Sequence, residues 1–241
     1  MRIKLENPST LSKAIEIISD IVTEVRIKVS DFGMSINAID PANVTMVSFK
    51  MPRSIFSEFE SGKEVLGVNL ENLKRILRRC GAGSTLIMEK KENQLNLQIQ
   101  DKIKRDFNMS LIDIESEDKE MPNLEFSSQV ELSSVDLVSV VEDCAVVDDA
   151  CSFIIKEGKF IIEAKNINSA RIEFSADEAI IDAEDCKARY SLEYLQKFMK
   201  AAKLCEKTLI RFANDHPMKM DFRTKELELS FILAPRVETD D

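Results

Sequence analysis

An internal repeat is the feature of this chain that most restricts how it can fold. The stretch Leu70–Arg78, LENLKRILR, matches Leu192–Lys200, LEYLQKFMK, in its order of apolar and basic residues. The tripeptide TLI at 85–87 recurs at 208–210, at nearly the same interval. A sequence that repeats itself once over most of its length indicates two copies of one structural unit. We therefore expect two similar domains in the 241 residues.

The segment between the two copies differs from both of them. Residues 112–126, IDIESEDKEMPNLEF, are acidic, contain Pro122 and show neither helical nor strand periodicity. Such a segment is typical of a connection between domains. The sequence therefore predicts a first domain at 1–111, a connector at 112–126 and a second domain at 127–241.

Each copy mixes two kinds of hydrophobic periodicity. Short runs such as GMSINAI and QLNLQIQ alternate apolar and polar residues, which is typical of half-buried strands. Two stretches in each copy have helical spacing instead, and Pro8 with Ser9 suits a helix start while Gly81 suits a helix end. The predicted helices lie at about 9–22, 70–81, 134–146 and 192–203. This pattern predicts an α+β fold, with antiparallel sheets and helices on one face.

The composition is that of a soluble chain with an aliphatic core. Hydrophobic residues make up 44%, Trp is absent, and the formal charge is −10. No apolar run approaches the roughly 18 residues of a membrane span, and the polar N-terminus does not resemble a signal peptide. Five cysteines without a C-x-x-C pair, and a single histidine, His216, argue against zinc and thiol–disulfide sites. We expect an intracellular protein with no cofactor and no metal.

Positive charge in this acidic chain is concentrated on two helices. In the first, Lys74, Arg75, Arg78 and Arg79 are expected opposite an apolar arc that contains Leu70. The second helix repeats the arrangement with Lys197, Lys200 and Lys203. Like charges four residues apart cost a helix about 0.2–0.5 kcal/mol per pair, so the arrangement suggests an anionic partner. Because neither a glycine-rich phosphate loop nor an aromatic platform accompanies these cations, we expect sequence-independent contact with the backbone of duplex DNA.

Three motifs connect the chain to a known family. The stretches GVNLENLKRILRRCG, NAIDPANVTMVSFKMP and FILAPRVE closely resemble the archaeal and eukaryotic sliding clamps of the proliferating cell nuclear antigen family. The two-copy layout and the acidic connector resemble that family too. The resemblance implies a ring of three subunits around double-stranded DNA, with helices lining the hole and without enzymatic activity. It also implies tethering of DNA polymerase, clamp loader, flap endonuclease and DNA ligase type partners.

The resemblance assigns DNA contact to particular positions. It implies DNA-facing roles for Lys13, Arg75, Arg78 and Lys200, while helix geometry alone adds Lys74, Arg79, Lys197 and Lys203. The chain departs from the family on the helix at 134–146. Its expected outward face is acidic or neutral, with Asp136, Ser139, Glu142 and Asp143, and Glu193 departs in the same way. We therefore expect an uneven lining, positive on only two helices.

The resemblance also implies how subunits join. The strand at about 104–112 is expected to pair with the strand at about 176–184 of the next subunit, as unprotected edge strands do. The residues expected at this contact are Phe107, Met109, Leu111, Ala179, Ile180 and Ile181. The sequence leaves open whether the ring is a homotrimer or a heterotrimer with paralogues.

A partner-peptide groove is expected near the C-terminus. FILAP is too apolar for an exposed terminus, and Pro235 ends any strand that precedes it, so Ile232, Ala234 and Pro235 should contact other apolar residues. The resemblance names those neighbours as Ile39, Val44, Met121, Pro122 and Pro217. A short helical peptide with aliphatic and aromatic anchors is the ligand that the resemblance implies.

Two alternatives remain at this stage. One is a checkpoint-type clamp subunit of the same fold. The other is an enzyme, in which a cysteine would act with His216, or Asp148–Asp149 and Asp240–Asp241 would bind a metal; a turn histidine, a solvated turn and a polar tail explain these residues more simply. The expected location is the cytoplasm or nucleoid if the protein is archaeal, and the nucleus if it is eukaryotic.

Overall fold

A computed structural model describes residues 1–115 and 120–237. Part of the predicted connector, 116–119, and the end of the predicted second domain, 238–241, lie outside the described residues. The described chain divides into two compact units. Of the described residues, the first comprises 1–41, 47–115, 120–121 and 225–229, and the second comprises 42–46, 122–224 and 230–237. The domain bounds drawn from the sequence stay a prediction.

The four predicted helices are present. They are α1 (Ser9–Ser19), α2 (Leu70–Leu77), α3 (Ser134–Ala145) and α4 (Leu192–Met199). A 3₁₀ turn at Lys200–Leu204 continues α4, and another lies at Arg53–Ile55. The helices α1 and α4 each end a few residues before the predicted position.

The end of α2 differs from the expectation. The helix ends at Leu77, and Arg78 keeps a right-handed helical conformation beyond it. Gly81 does not stop the helix. Its backbone N–H instead donates to Ser84 Oγ at 2.8 Å, in a turn that is completed by Gly83 at a φ of 81°. The start of α2 is fixed by Asn69, whose side chain accepts from the N–H of Asn72 at 3.1 Å.

The strands of the first unit form two antiparallel groups. One has the order β5-β1-β7-β8-β9 and the other β4-β3-β2-β6. Their bounds are β1 Arg2–Leu5, β2 Glu24–Ser30, β3 Gly33–Ile39, β4 Thr45–Pro52, β5 Glu58–Glu60, β6 Glu64–Asn69, β7 Thr85–Lys91, β8 Gln94–Gln100 and β9 Lys104–Ser110. The first two residues of β4 belong to the second unit. The helices α1 and α2 pack against each other.

The second unit repeats this arrangement. Its strands follow the orders β14-β10-β16-β17-β18 and β13-β12-β11-β15. Their bounds are β10 Ser128–Ser133, β11 Ala150–Lys156, β12 Lys159–Lys165, β13 Ser169–Phe174, β14 Ala179–Ala183, β15 Cys186–Ser191, β16 Lys207–Phe212, β17 Met218–Arg223 and β18 Glu228–Leu233. The helices α3 and α4 pack against each other, as α1 and α2 do. Strand for strand, β14 is thus the counterpart of β5, β13 of β4, and β18 of β9.

The cores of both units are mainly aliphatic, as the composition predicts. The second unit adds a group of rings, with Phe198 stacked on Phe231 at 4.3 Å between centroids and Phe153 edge-on to Phe160 and Tyr190. The predicted fold class, with two similar units of antiparallel strands and helices, is confirmed. Within the described ranges, none of the helices is long and apolar enough to cross a membrane.

Candidate nucleic-acid and partner-binding surfaces

The helix α2 presents three arginines to solvent. Arg75, Arg78 and Arg79 are exposed, while Leu70, Leu73 and Leu77 are buried on the opposite side. The apolar residues recur at intervals of three and four, so they form one stripe that packs into the unit and leaves the guanidinium groups outside. This arrangement can contact an extended anion without burying any charge.

Lys74 does not belong to this exposed group, and the expectation for it is wrong. Its side chain is only 11% exposed and forms an ion pair with Glu71, one turn earlier in α2. The reason lies in the helical angle, since Lys74 is about 40° from Leu70 around the axis and so falls in the buried arc. Ile76, an apolar residue of the same helix, is half-exposed.

Arg78 is exposed but already has a partner. Its guanidinium donates to the carboxylate of Glu16 in α1, and this contact raises the pKa of Arg78 above its ordinary value. Arg75 and Arg79 form no ion pair with any residue in the ranges that the structure describes. These two arginines therefore remain fully available to a ligand, whereas Arg78 would have to share its charge.

The end of α4 carries the second group of cations. Lys200 and Lys203 are exposed on the 3₁₀ turn, whose Ala201 and Ala202 are buried. Lys197 is half-buried, lies over the ring of Tyr194 at 5.0 Å, and donates to Glu193 at 2.8 Å. The departure from the family at Glu193 thus neutralises part of the charge on α4.

The remaining two helices carry little positive charge. Lys13 of α1 is exposed. The helix α3 contains neither Lys nor Arg, and its exposed polar residues are Asp136, Ser139, Glu142 and Asp143. The uneven distribution expected from the sequence is therefore present on the helices themselves.

The strand β9 is a free edge in the first unit. It pairs with β8 on one side and has no further neighbour in the described sheet. Phe107 is half-buried, whereas Met109 and Leu111 are buried. Beside this edge, a groove runs between α2 and β9, lined by Arg75, Ile76, Asn108, Met109, Ser110 and Ile112.

The second unit has two candidate edges rather than one. The strand β14, which holds Ala179, Ile180 and Ile181, is at the end of its sheet, and so is β13. Ile180 is 63% exposed, while Ala179 is buried. The sequence predicts a strand at ARIEFSA, which is β13, but it assigned the edge to β14, because local sequence does not record which strand ends a sheet.

The C-terminal segment contacts the loop before β4 within the second unit. The backbone N–H of Ala234 donates to Val44 O at 2.9 Å, and Thr45 Oγ1 donates to Ile232 O at 2.7 Å. Ile232 is buried, while Val44, Ala234 and Pro235 are half-buried. Three apolar side chains thus remain partly open to solvent at this place.

The other predicted groove residues are distributed over both units. Pro217 is half-buried and Pro122 is exposed, and both belong to the second unit. Ile39 and Met121 are half-buried residues of the first unit. Next to Pro217, the ring of His216 packs edge-on against Phe126 at 5.7 Å. This packing gives His216 a structural role in a turn.

A second pocket lies beside Pro235. Its lining consists of Lys187, Ala188, Arg189, Asn214, Asp215, Pro235, Arg236 and Val237. Arg189 and Arg236 are paired with Asp148 and Asp149, each at 2.8 Å. The ion pair with Arg236 holds the pKa of Asp149 below its ordinary value. The pairs fix the C-terminal segment against β15, where Arg236 N–H donates to Arg189 O at 2.7 Å.

The described residues favour neither a metal-binding site nor a reactive cysteine. These ranges contain no group of three or more His, Cys, Asp or Glu side chains that could hold a metal ion. All five cysteines are free thiols, and burial raises the pKa of Cys80 to about 11, which makes it a poor nucleophile.

Two protein-family models match this chain, one in each half. The model of the N-terminal domain of proliferating cell nuclear antigen matches residues 1–119, and that of its C-terminal domain matches 120–237. The DNA polymerase sliding clamp of Pyrococcus horikoshii is 34% identical over 245 residues, covering 98% of each chain. That of Thermococcus fumicolans is 36% identical over 228 residues, covering 91% of this chain and 92% of its own.

Solved structures agree on the fold. Proliferating cellular nuclear antigen from Entamoeba histolytica has a TM-score of 0.91 at 24% identity, covering 98% of both chains. A PCNA2–PCNA3 complex from Sulfolobus tokodaii has a TM-score of 0.89 at 23% identity, covering 99% of this chain and all of its own. The family consists of processivity factors without enzymatic activity, so the enzyme alternative is excluded. The chain belongs to the proliferating cell nuclear antigen family of DNA polymerase sliding clamps.

Proposed function

We propose that this chain is a subunit of a sliding clamp that encircles duplex DNA and tethers DNA polymerase and other replication enzymes. The observation that carries the proposal is the repeated helix pair, since α2 and α4 bury matching apolar stripes and both leave cations exposed. Family membership supports the same function. A clamp needs positive charge facing phosphates and no chemistry of its own.

Contact with DNA is proposed to be loose and independent of sequence. Lys and Arg side chains at the ends of α2 and α4 are long, exposed and free of the aromatic platforms that hold bases. Contacts to phosphates position a protein without reading sequence, and water can mediate them. The cations that we assign to this role are the half-buried Lys197 and the exposed Lys13, Arg75, Arg78, Arg79, Lys200 and Lys203.

Assembly is proposed to use β9 of one copy and β13 of the next. In the first unit, β9 is at the end of its sheet, and in the second unit β13 is at the end of its sheet. An edge strand has unpaired backbone groups, so β13 of a second copy can pair with β9. This reasoning moves the proposal from β14, with Ala179, Ile180 and Ile181, to β13.

Partner proteins are proposed to bind where the C-terminal segment leaves apolar groups open. Val44, Ala234 and Pro235 lie together in the second unit and are half-buried. An amphipathic peptide turn with aliphatic or aromatic anchors would complete the burial of such a surface. Ile39, Met121, Pro122, Pro217 and Ile232 stay predicted members of this surface. A location with the chromosomal DNA, inside the cell, follows from the same proposal.

The decisive experiment reverses two cations that have no ion-pair partner in the described chain. Arg79→Glu combined with Lys203→Glu should lower the length of polymerase products and the retention of the clamp on circular DNA by about tenfold, because phosphate contacts become repulsive. The control, Lys63→Glu with Lys225→Glu, changes the net charge equally at exposed positions away from α2 and α4. Equal losses in both variants would contradict the assignment of the helices to DNA.

A further inference from the structure

We propose that the carboxylate of Glu16 is a built-in substitute for a DNA phosphate, which holds Arg78 in the free protein and releases it when DNA binds. Glu193 acts on Lys197 in the same way, but more weakly. The inference rests on the proposed clamp function and deepens it, because it names the residues that keep the contact with DNA weak.

Glu16 lies close to two cations that we assign to DNA. It follows Lys13 by three residues in α1, so the two side chains are neighbours on the surface of that helix. Its carboxylate accepts from the guanidinium of Arg78, the residue that follows the end of α2. A phosphate that contacted both Lys13 and Arg78 would therefore have to compete with Glu16 for the guanidinium.

A carboxylate and a phosphate are equivalent partners for an arginine. The guanidinium donates through a rigid fork of N–H groups that fits two oxygens of either anion. The Glu16–Arg78 pair is open to water, since 54% of the Arg78 side chain and 45% of the Glu16 side chain are exposed. Ion pairs as exposed as this contribute little to stability, so one anion can readily replace the other. Glu71 and Asp20 also act on Arg78, but Glu16 is its hydrogen-bonded partner.

The corresponding pair on α4 is less open to exchange. Lys197 donates to Glu193, one turn earlier in the helix, at 2.8 Å, and it also lies over the ring of Tyr194. Only 30% of the Lys197 side chain is exposed. A phosphate that replaced Glu193 would thus meet a lysine that is held against a ring, and the release of this lysine would add less contact with DNA.

An ion pair within α2 shows what the exchange requires. Glu71 pairs with Lys74, whose side chain is only 11% exposed. Because this lysine is covered, its release would give DNA little to contact. Removing the charge of Glu71 therefore changes the net charge near Arg78 without freeing an exposed cation, which makes Glu71 the matched control for Glu16.

Such an exchange suits a protein that must move along DNA. When a phosphate leaves Arg78, the carboxylate of Glu16 can take its place, so breaking the contact does not leave the guanidinium unpaired. The free-energy difference between the bound and free states becomes smaller, and binding is weaker than the number of cations alone would give. Arg75 and Arg79, without an ion pair in the described ranges, supply attraction that needs no exchange.

The test measures the affinity for a short labelled duplex by fluorescence anisotropy over a range of salt concentrations. Glu16→Gln removes the charge with little change of shape and should tighten binding about threefold at low salt, because Arg78 is then free to neutralise a phosphate. The slope of log affinity against log salt should become steeper by up to about 1. Glu193→Gln should tighten binding by about twofold or less, and the control Glu71→Gln should stay within about 1.5-fold of the wild type.

A second background shows whether Glu16 acts through Arg78. Arg78→Gln alone should weaken binding, because one phosphate contact is lost. Glu16→Gln added to this variant should change the affinity no more than Glu71→Gln does, since no arginine remains to be released. If the ion pair only joined α1 to α2, its loss would lower the midpoint of thermal unfolding and would not tighten DNA binding.

Two results would overturn the inference. One is binding that is unchanged or weaker in Glu16→Gln, and the other is a gain in affinity that persists in full without Arg78. Neither result would affect the clamp function, which is tested by the length of polymerase products. A protein that shows the expected gain in Glu16→Gln but does not lengthen polymerase products would contradict the clamp function and leave the inference standing.

Discussion

The two units of this chain have the same strand order but different charge on their helices. In the first unit, Arg75 of α2 and Arg78 and Arg79 just beyond its end are exposed, whereas in the second unit α3 has no Lys or Arg and exposes acidic and neutral side chains. Both helices bury a regular apolar stripe. The comparison teaches that the apolar positions of a helix determine how it packs, while its exposed positions can carry either sign of charge. Function therefore has to be read from the exposed residues of each unit separately.

A buried polar pair differs between the units in the same way. Asp221 of β17 is fully buried, bonds to Arg211 at 2.9 Å and accepts from Ser230 Oγ at 2.5 Å. At the matching place in the first unit, Gln98 of β8 donates to Asp106 of β9. One unit thus depends on a buried charge where the other uses a neutral amide near the surface.

The largest expected effect comes from removing the buried carboxylate of Asp221. Asp221→Ala should lower the free energy of unfolding by about 1–3 kcal/mol, because it leaves the buried Ser230 hydroxyl without its acceptor and removes the ion pair with Arg211. Gln98→Ala, at the matching position, should cost about 0.5 kcal/mol or less. Urea unfolding monitored by circular dichroism measures both. Similar losses in the two variants would show that burial of the charge does not matter here.

The segments that follow β9 and β18 provide the second comparison. Leu111 is buried after β9, whereas its counterpart Pro235 remains half-buried after β18. Val44→Ser with Pro235→Ser should weaken the binding of a partner peptide about tenfold, which corresponds to ~1.4 kcal/mol. Isothermal titration calorimetry with a peptide from a replication polymerase measures the change.

A control for the peptide experiment is available at a hairpin tip. Ile167 is 98% exposed between β12 and β13, so Ile167→Ser removes an exposed apolar side chain elsewhere in the second unit. Peptide affinity should not change in this variant. An unchanged affinity in the double variant at Val44 and Pro235 would place the partner surface elsewhere.

The contrast between α2 and α3 can be tested by adding a cation to α3, the helix that has neither Lys nor Arg. Glu142→Lys gives α3 an exposed cation and should raise the affinity for duplex DNA severalfold at low salt. If the new lysine meets a phosphate, the slope of log affinity against log salt should become steeper by about 1. Fluorescence anisotropy at four salt concentrations measures the slope, with Ser139→Ala as a variant that should change nothing.

The smallest expected effect concerns the ion pair that holds the C-terminal segment. Arg236 keeps the pKa of Asp149 below its ordinary value, so its contribution to stability is present above that ordinary value and is lost as the pH falls through the lowered pKa. Arg236→Ala should return the pKa of Asp149 towards the value of a free carboxylate. An NMR titration of the Asp149 carboxyl carbon measures the shift, and an unaltered titration would show that Arg236 is not its partner in solution.

Much of the molecule could be predicted without coordinates. The repeat predicted two units, and the spacing of apolar residues located all four helices because a helix must bury one stripe. Strands with clean alternation, such as β3 and β8, were found at their true positions. The cations Arg75 and Arg79 were correctly expected to be exposed, since they are about 140° and 180° from Leu70 around the helix axis. Lys203 is exposed as expected, but on the 3₁₀ turn that follows α4.

The tertiary structure alone decided the remaining features. The helical angle alone places Lys74 near the apolar arc, but only the structure shows that its long side chain lies there and ends at Glu71. The edge position of β13 depends on the strand order β13-β12-β11-β15, and local sequence carries no record of that order. The sequence by itself thus determined the repeated unit and its family, while the packing of distant strands determined which edges and which charges are left for partners.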